Sequence, residues 1–343
     1  MAATRADGGP SADAATIAVV IVNWNGGELL ARALAAVDGQ TLRPQRVIVV
    51  DNASTDGSAD DLESHYPGAQ VVRLNENAGF ARANNVGAAT AADCDWLALL
   101  NPDAFPEPDW LERLSAAALE HPDYSAFGSC LLLADDPLRY DGTGDVYHVS
   151  GLAFRRDHGR MIARVRRPTA EVFAPSGAAA MFRADAFRAA GGFDETYFAY
   201  LEDVDLAFRL RLAGERCLFV ADAVVHHVGS AIAGRTSDFT IFHSQRNLIW
   251  TYAKNMPSPF VWLYLPQHLL VNAAAVLGYA LRGQGRVVLR SKRAALRSLG
   301  SVLRERRQLQ ADRVVGAGEL RRLMGKGLEA YVAPLRRAWE TWH

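Results

Sequence analysis

The segment Tyr200-Leu-Glu-Asp-Val-Asp-Leu-Ala-Phe-Arg209 places three carboxylates, Glu202, Asp203 and Asp205, within four residues. They open a run in which Leu206, Leu210 and Ala213 recur at helical spacing. Asp203 would stand in the first turn of that helix, where the macrodipole favours the ionised form. An ionised carboxylate held there fits a general base. The same cluster also fits an acidic cap on an ordinary surface helix. Other polar residues bear on the choice. Asn101-Pro102-Asp103 carries a carboxylate suited to hold a divalent cation against a diphosphate, because Mg²⁺ typically uses one or two carboxylates plus phosphate oxygens. An Asx-Pro turn is the plainer account of that tripeptide. Trp24, between Asn23 and Asn25, has a ring that would stack on a nucleobase and neighbouring amides that would bond its edge; plain packing accounts for it equally well. Asp51 would accept from a pyrimidine imide N–H, or else cap a turn.

The elements that must position these residues alternate. Thr16–Asn23, Arg46–Val50, Gln70–Leu74 and Trp96–Leu100 read as buried strands, being apolar and largely β-branched. Glu28–Val37, Asp56–His65 and Phe80–Ala92 read as the intervening helices. That alternation predicts an α/β fold with a parallel sheet and right-handed crossovers. Ligands of such sheets bind beyond the carboxyl ends of the strands, and Asn23, Asp51 and Asp103 all fall there. Residues 124–160 mix short strand-like pieces with Gly and Asp, and Arg155–Arg167 reads as a mobile basic loop. Pro175–Phe182 reads as a strand, Ala184–Ala190 as a short helix, and Cys217–Val225 as a strand ending at His226-His227. Along a strand the two histidines face opposite ways, so only one of them serves a given site.

Five motifs occur in order: Val20-Ile-Val-Asn-Trp-Asn25, Val49-Val-Asp-Asn-Ala-Ser-Thr-Asp-Gly-Ser58, Asn77-Ala-Gly-Phe-Ala-Arg-Ala-Asn-Asn-Val-Gly87, Leu99-Leu-Asn-Pro-Asp-Ala104, and Gly191-Gly-Phe-Asp-Glu195 followed by Glu202-Asp-Val-Asp-Leu-Ala-Phe-Arg209. Over residues 16–256 this set resembles the family 2 glycosyltransferases with the GT-A fold, and most of all their bacterial rhamnosyltransferase-like branch. The resemblance implies a Rossmann-like, mixed, mainly parallel sheet flanked by helices. It implies that Asn23, Trp24 and Asp51 bind the nucleoside, with Arg82 and Asn85 near the nucleoside and diphosphate. Asn101-Pro102-Asp103 stands where the family has its Asp-X-Asp motif; with the first carboxylate replaced, Asp103 becomes the metal ligand and Asn101 a hydrogen-bonding residue. His226 matches a histidine that completes the metal site in some members, with the register against His227 open. Asp203 matches the catalytic base, with Glu202 and Asp205 orienting the base or the acceptor. Gly177, in Ser176-Gly177-Ala178-Ala179, matches a small-residue stretch that lets the acceptor approach. Arg246, in a Gln245-Arg246-Asn247 run expected to open a helix, would bind a lipid diphosphate, or else form a helix-surface salt bridge.

The implied reaction is an inverting, metal-dependent sugar transfer using Mg²⁺ or Mn²⁺. The expected donor is dTDP-L-rhamnose, with UDP-sugars such as UDP-galactofuranose as competitors, and the acceptor is a saccharide on a polyprenyl diphosphate in cell-envelope polysaccharide synthesis. A catalytically dead glycan-binding module of the same fold would have no need for Asp103, Asp203 and His226 together. A nucleotidyltransferase would carry a basic phosphate loop after the first strand, and Asn23-Trp-Asn-Gly-Gly27 has neither Lys nor Arg.

The net charge of -1 over 343 residues gives no field that calls for nucleic acid. Cys94, Cys130 and Cys217 are odd in number and far apart, which fits no disulfide framework. Residues 1–15 read as a disordered leader, 16–256 as the catalytic domain and 257–343 as a helical extension. Phe260–Leu281 has no charge, and thirteen Arg/Lys against three acids follow between Arg282 and Lys326. An apolar stretch with a basic flank suits a peripheral helix pair on an anionic membrane surface, here the cytoplasmic face; a buried hairpin with a solvated basic helix is the alternative. The Gly/Ser-rich segment 229–239 would close over the donor.

Overall fold

The computed structural model describes residues 15–229 and 237–327. The expected leader, most of the expected donor-closing loop and the last residues of the extension lie outside them. Four strands, β1 (Ile17–Asn23), β2 (Arg46–Asp51), β3 (Ala69–Arg73) and β4 (Trp96–Leu100), run parallel and alternate with α1 (Gly27–Asp38), α2 (Leu62–His65) and α3 (Gly79–Thr90). β1 is buried along its whole length. Ala18, Val20 and Val22 join one apolar cluster while Ile17, Val19 and Ile21 join another. Helices cover both faces, and the two-residue period of the strand divides its side chains between them.

The second half is mixed. β5 (Ala104–Pro106), α4 (Trp110–Glu120) and β6 (Ala126–Leu133) are followed by four short strands, β7 (Tyr140–Gly142), β8 (Asp145–Tyr147), β9 (Ala153–Arg155) and β10 (Ala170–Glu171). Then come β11 (Ala179–Arg183), α5 (Ala184–Ala189), α6 (Glu202–Leu212) and β12 (Cys217–His227). The sheet order is β10-β12-β6-β11-β4-β1-β2-β3, with β11 antiparallel to both β4 and β6. This is the mixed, mainly parallel sheet flanked by helices that the motifs implied.

Three local expectations are corrected. Only Leu62–His65 of the expected helix 56–65 is helical, because Asp61 sits in the left-handed region at φ 52° and breaks the run. Residues 175–178 are a turn, not strand, and this turn carries Gly177. The basic stretch 155–167 is tethered: Asp157 is buried and paired with Arg156, Arg160 and Arg167.

α7 (Asp238–Asn255) ends the span expected to be catalytic, and it is followed by α8 (Phe260–Leu263), α9 (Leu265–Leu281), α10 (Gly285–Arg297), α11 (Leu299–Ala311) and α12 (Ala317–Leu323). α10 and α11 pack on α7 through Trp250, Ala295 and Val302. Of α9, only His268 is buried; it stacks on Tyr252 at 3.9 Å and bonds the Ser150 carbonyl. No helix among the described residues is long and apolar enough to cross a membrane.

Candidate active site

A cavity of about 310 Å³ opens at the carboxyl ends of β1 and β4. Its walls include Trp24, Asn101, Asp103, Gly177, Glu202 and Asp203, all singled out in the sequence. They also include Asn52, Asn77, Asp145, Arg155 and Tyr200, which were given no role there, and His227, whose register against His226 was open.

Asp203 is aimed by backbone. Its Oδ2 accepts from the Gly177 N–H at 2.9 Å, and its Oδ1 from the Val204 N–H at 2.8 Å. A Cβ at position 177 would stand 3.3 Å from the Asp203 carboxylate, so a side chain there would crowd it. Glu202 is 6% exposed, and its Oε2 has no hydrogen-bond partner among the described residues. Burial, and then the neighbouring Asp203 charge, push the Glu202 carboxyl well above the usual range and favour its protonated form. A carboxyl whose pKa is raised this strongly on a cavity wall is a pattern that marks functional sites.

The loop before α6 is strained. Phe198, Tyr200 and Leu201 all have positive φ, at 66°, 70° and 66°. Such conformations cost of order 1–3 kcal/mol each and persist only where surroundings impose them. Here the surroundings are clear. Asn247 Nδ2 donates to the carbonyls of Tyr197, Ala199 and Tyr200. Arg246 Nη2 donates to the carbonyls of Thr196 and Tyr197, and its guanidinium lies 4.2 Å over the Trp250 ring. Opposite the loop, a Cβ on Gly79 would come 2.6 Å from the Phe198 carbonyl, and Gly79 itself has φ +84°. Only glycine fits that contact.

Arg246 therefore holds the loop and does not face the cavity; it lies in the middle of α7 rather than at a helix start. Asp205 is also absent from the walls. It is fully buried and accepts from Tyr197 Oη, Arg209 Nε, Lys254 Nζ and Asn255 Nδ2. Burial opposes its ionisation, but Lys254 and Arg209 outweigh it and bring the carboxyl down to about 2. Helical spacing turns positions 203 and 205 about 200° apart around the axis, so one faces the cavity and the other the α7 side.

Asn23, Asp51, Arg82 and Asn85 do not line the cavity either. Asn23 is fully buried and donates to Asp51, Ser54 and Ser58, while its oxygen accepts from the Gly26 N–H. Asn23 and Asp51 thus tie the two strand-end loops together behind Trp24. Asn85 spends both ends of its amide on Phe193 backbone, at 2.8 Å each, and so anchors the Gly-Gly-Phe-Asp-Glu turn. Arg82 lies on the surface, 3.8 Å from Glu195.

The histidine register is corrected. His226 turns to Glu107, 2.7 Å from its Nε2. His227 is the one at the cavity, with Nε2 3.3 Å from Asp103 Oδ1 and Nδ1 2.7 Å from Asp141 Oδ2. β12 shifts its pairing with β6 between Val220 and Val224, so counting along the strand does not reveal which face a residue takes. Burial works against the His227 cation, but Asp103 and Asp141 on either side raise its pKa. Burial likewise opposes the Asp141 charge, while Arg155, His158 and His227 more than offset it and hold the carboxyl well below the usual range. Among the described residues no group of three or more His, Cys, Asp or Glu is arranged to hold a metal.

The glycosyl transferase family 2 pattern matches residues 18–191. The N-acetylglucosaminyl-diphospho-decaprenol L-rhamnosyltransferase of Mycobacterium tuberculosis is 30% identical over 298 residues, covering 75% of this chain and 93% of the relative. The O-antigen chain rhamnosyltransferase RfbN of Salmonella typhimurium is 24% identical over 77% of this chain and 88% of its own length. In fold, the chain is similar to the mannosyltransferase PcManGT of Pyrobaculum calidifontis, solved with GDP-Man and Mn²⁺, at a TM-score of 0.51 and 20% identity over 86% of this chain and 85% of that one. It is also similar to GalNAc-T7 with UDP, GalNAc and Mn²⁺, at a TM-score of 0.58 and 18% identity over 73% of this chain and 49% of that one. This chain is a GT-A-fold glycosyltransferase belonging to glycosyl transferase family 2, in its rhamnosyltransferase-like branch.

Proposed function

We propose that the protein transfers L-rhamnose from dTDP-L-rhamnose, with inversion, to a saccharide carried on a polyprenyl diphosphate, as a step in cell-envelope polysaccharide synthesis. The observation that carries this reading is Asp203, pinned by the Gly177 amide on the wall of the same cavity as Trp24 and Asp103. The likeness to the decaprenol-linked rhamnosyltransferase supports the choice of donor and acceptor. Trp24, Asn52 and Asn77 offer a ring and amides for the base and ribose. Asp203 takes the proton of the acceptor hydroxyl as its oxygen bonds the anomeric carbon. The bond from that carbon to the phosphate oxygen breaks, and its electron pair leaves with the nucleoside diphosphate. Glu202, kept neutral, is a hydrogen-bond donor beside the base.

A divalent cation fits Asp103 and His227. His227 Nε2 is buried, makes no well-formed hydrogen bond among the described residues and lies 3.3 Å from Asp103 Oδ1. Two protein ligands leave room for the diphosphate and water oxygens that Mg²⁺ and Mn²⁺ favour. The cation, when bound, supplies positive charge against the leaving diphosphate.

The membrane partner rests on α8–α10. Trp262, Leu263, Leu270, Leu277 and Leu281 are each 60% or more exposed. Leu270, Leu277 and Leu281 fall on one face of α9. α10 adds Leu289 and Leu296 among the exposed Arg286, Arg290, Arg293 and Arg297. An apolar face with a basic border suits an anionic lipid surface, and would bring the cavity to a lipid-linked acceptor on its cytoplasmic face.

The test is nucleotide release with a lipid-linked N-acetylglucosamine acceptor across dTDP-rhamnose, UDP-galactofuranose, UDP-GlcNAc and GDP-mannose. Release from dTDP-rhamnose alone is expected. Preference for UDP-galactofuranose would overturn the donor, and no release with any donor would overturn the enzymatic reading.

A further inference from the structure

Asp141, on β7, belongs to no motif and lies in a segment without periodicity, yet it is 1% exposed and ringed by Arg155, His158 and His227. A buried charge is costly unless it is paired. Its Oδ2 accepts from His227 Nδ1 at 2.7 Å and from Arg155 Nη1. His158 Nδ1 lies 3.2 Å from its other oxygen. One carboxylate oxygen thus holds two cavity-wall side chains, which stand 3.4 Å apart. Arg155 is the only Arg or Lys on the cavity wall among the described residues, and its guanidinium makes no further hydrogen bond among them.

We propose that Asp141 is the positioning residue of the donor site, setting His227 and Arg155 so that one presents Nε2 beside Asp103 and the other presents its remaining N–H groups to the donor diphosphate. This rests on the reading of Asp103 and His227 as a cation site. The logic for His227 is general: a histidine whose one nitrogen donates to a carboxylate keeps the other as a fixed lone pair. The logic for Arg155 is steric and electrostatic. Asp103, Asp145 and Asp203 share its cavity, and a guanidinium released from Asp141 would fold onto one of them. Held at Nη1, it keeps Nε and Nη2 for phosphate oxygens, whose geometry a guanidinium fork matches.

The experiment measures Mn²⁺ affinity by electron paramagnetic resonance without nucleotide, and dTDP affinity by calorimetry in chelator, on folded variants of the full chain. Asp141→Leu should lose about 10–100-fold in Mn²⁺ affinity, as His227→Ala does. Asp141→Asn should stay within a few-fold of the parent, because its amide oxygen still accepts from Nδ1–H. Arg155→Met should leave Mn²⁺ affinity undiminished but weaken metal-free dTDP about tenfold, and Asp141→Leu should do both. If Asp141→Leu does not fold, Asp141→Ser, whose hydroxyl falls short of His227, is read in the same way. Parental Mn²⁺ affinity in the Asp141 variant with a loss in His227→Ala would overturn the positioning role and leave the cation site standing. Parental affinity in both would overturn the cation site and the inference with it.

Discussion

Asp203 and Asp205 lie two residues apart on one helical turn and have opposite fates. Asp203 is partly exposed, bonded by two backbone amides and, among the described residues, in no ion pair. Asp205 is sealed and meets Lys254, Arg209, Asn255 and Tyr197. The contrast separates a carboxylate kept available for a substrate from one consumed in joining α6 to α7. A neutralised acid is part of the frame. An acid fixed in direction by backbone amides and left facing the cavity is part of the chemistry.

The predictions press on that division. The largest effect is expected for Asp203→Asn, which should cut transfer by about 10²–10⁴-fold, the range of a lost general base, in a rate assay at saturating donor. Lys254→Met should cost about 1–3 kcal/mol in denaturant unfolding, since it removes one of the two cations paired with buried Asp205 and leaves only Arg209. His227→Ala should weaken Mn²⁺ binding about 10–100-fold while His226→Ala changes it little; an equal loss in both would return the register to doubt. Acid unfolding should report Asp205. Its folded carboxyl sits near 2 against an ordinary 3.8, so the stability it contributes is complete above about pH 4 and is lost as the pH falls toward 2. That contribution is worth about 2 kcal/mol, and Asp205→Asn should flatten it. Leu270→Asp with Leu277→Asp should lower partitioning onto anionic vesicles about tenfold or more, given roughly 1.5–3 kcal/mol for each buried leucine. Unchanged partitioning would remove the membrane face.

How far the sequence reaches follows the same division. The parallel half of the sheet was legible because β1, β2 and β4 are unbroken apolar runs. Trp24, Asn101, Asp103, Gly177 and Asp203 were legible through motifs whose positions lie on the cavity. Asn23, Asp51, Asn85 and Arg246 were legible as important, but the structure places them off the cavity wall, in hydrogen bonds that join its loops. Their partners, such as Ser58, Phe193 and Tyr197, are supplied by tertiary contact and leave no trace in local spacing. The histidine register was hidden by the irregularity in β12. Asp141 and Arg155 were missed because β7 and β9 are three-residue strands, too short to show a period. Asn247 stood beside Arg246 in the sequence, but nothing local announced three carbonyls in a strained loop.

The most direct measurement compares Asp203→Asn and Asp205→Asn in one preparation each, recording sugar transfer, nucleotide affinity and melting temperature. The account predicts that Asp203→Asn melts near the parent, binds dTDP within about threefold (roughly 0.7 kcal/mol) and fails to transfer, while Asp205→Asn melts lower yet transfers when folded. Turnover retained in Asp203→Asn, with activity lost from a fully folded Asp205→Asn, would contradict it.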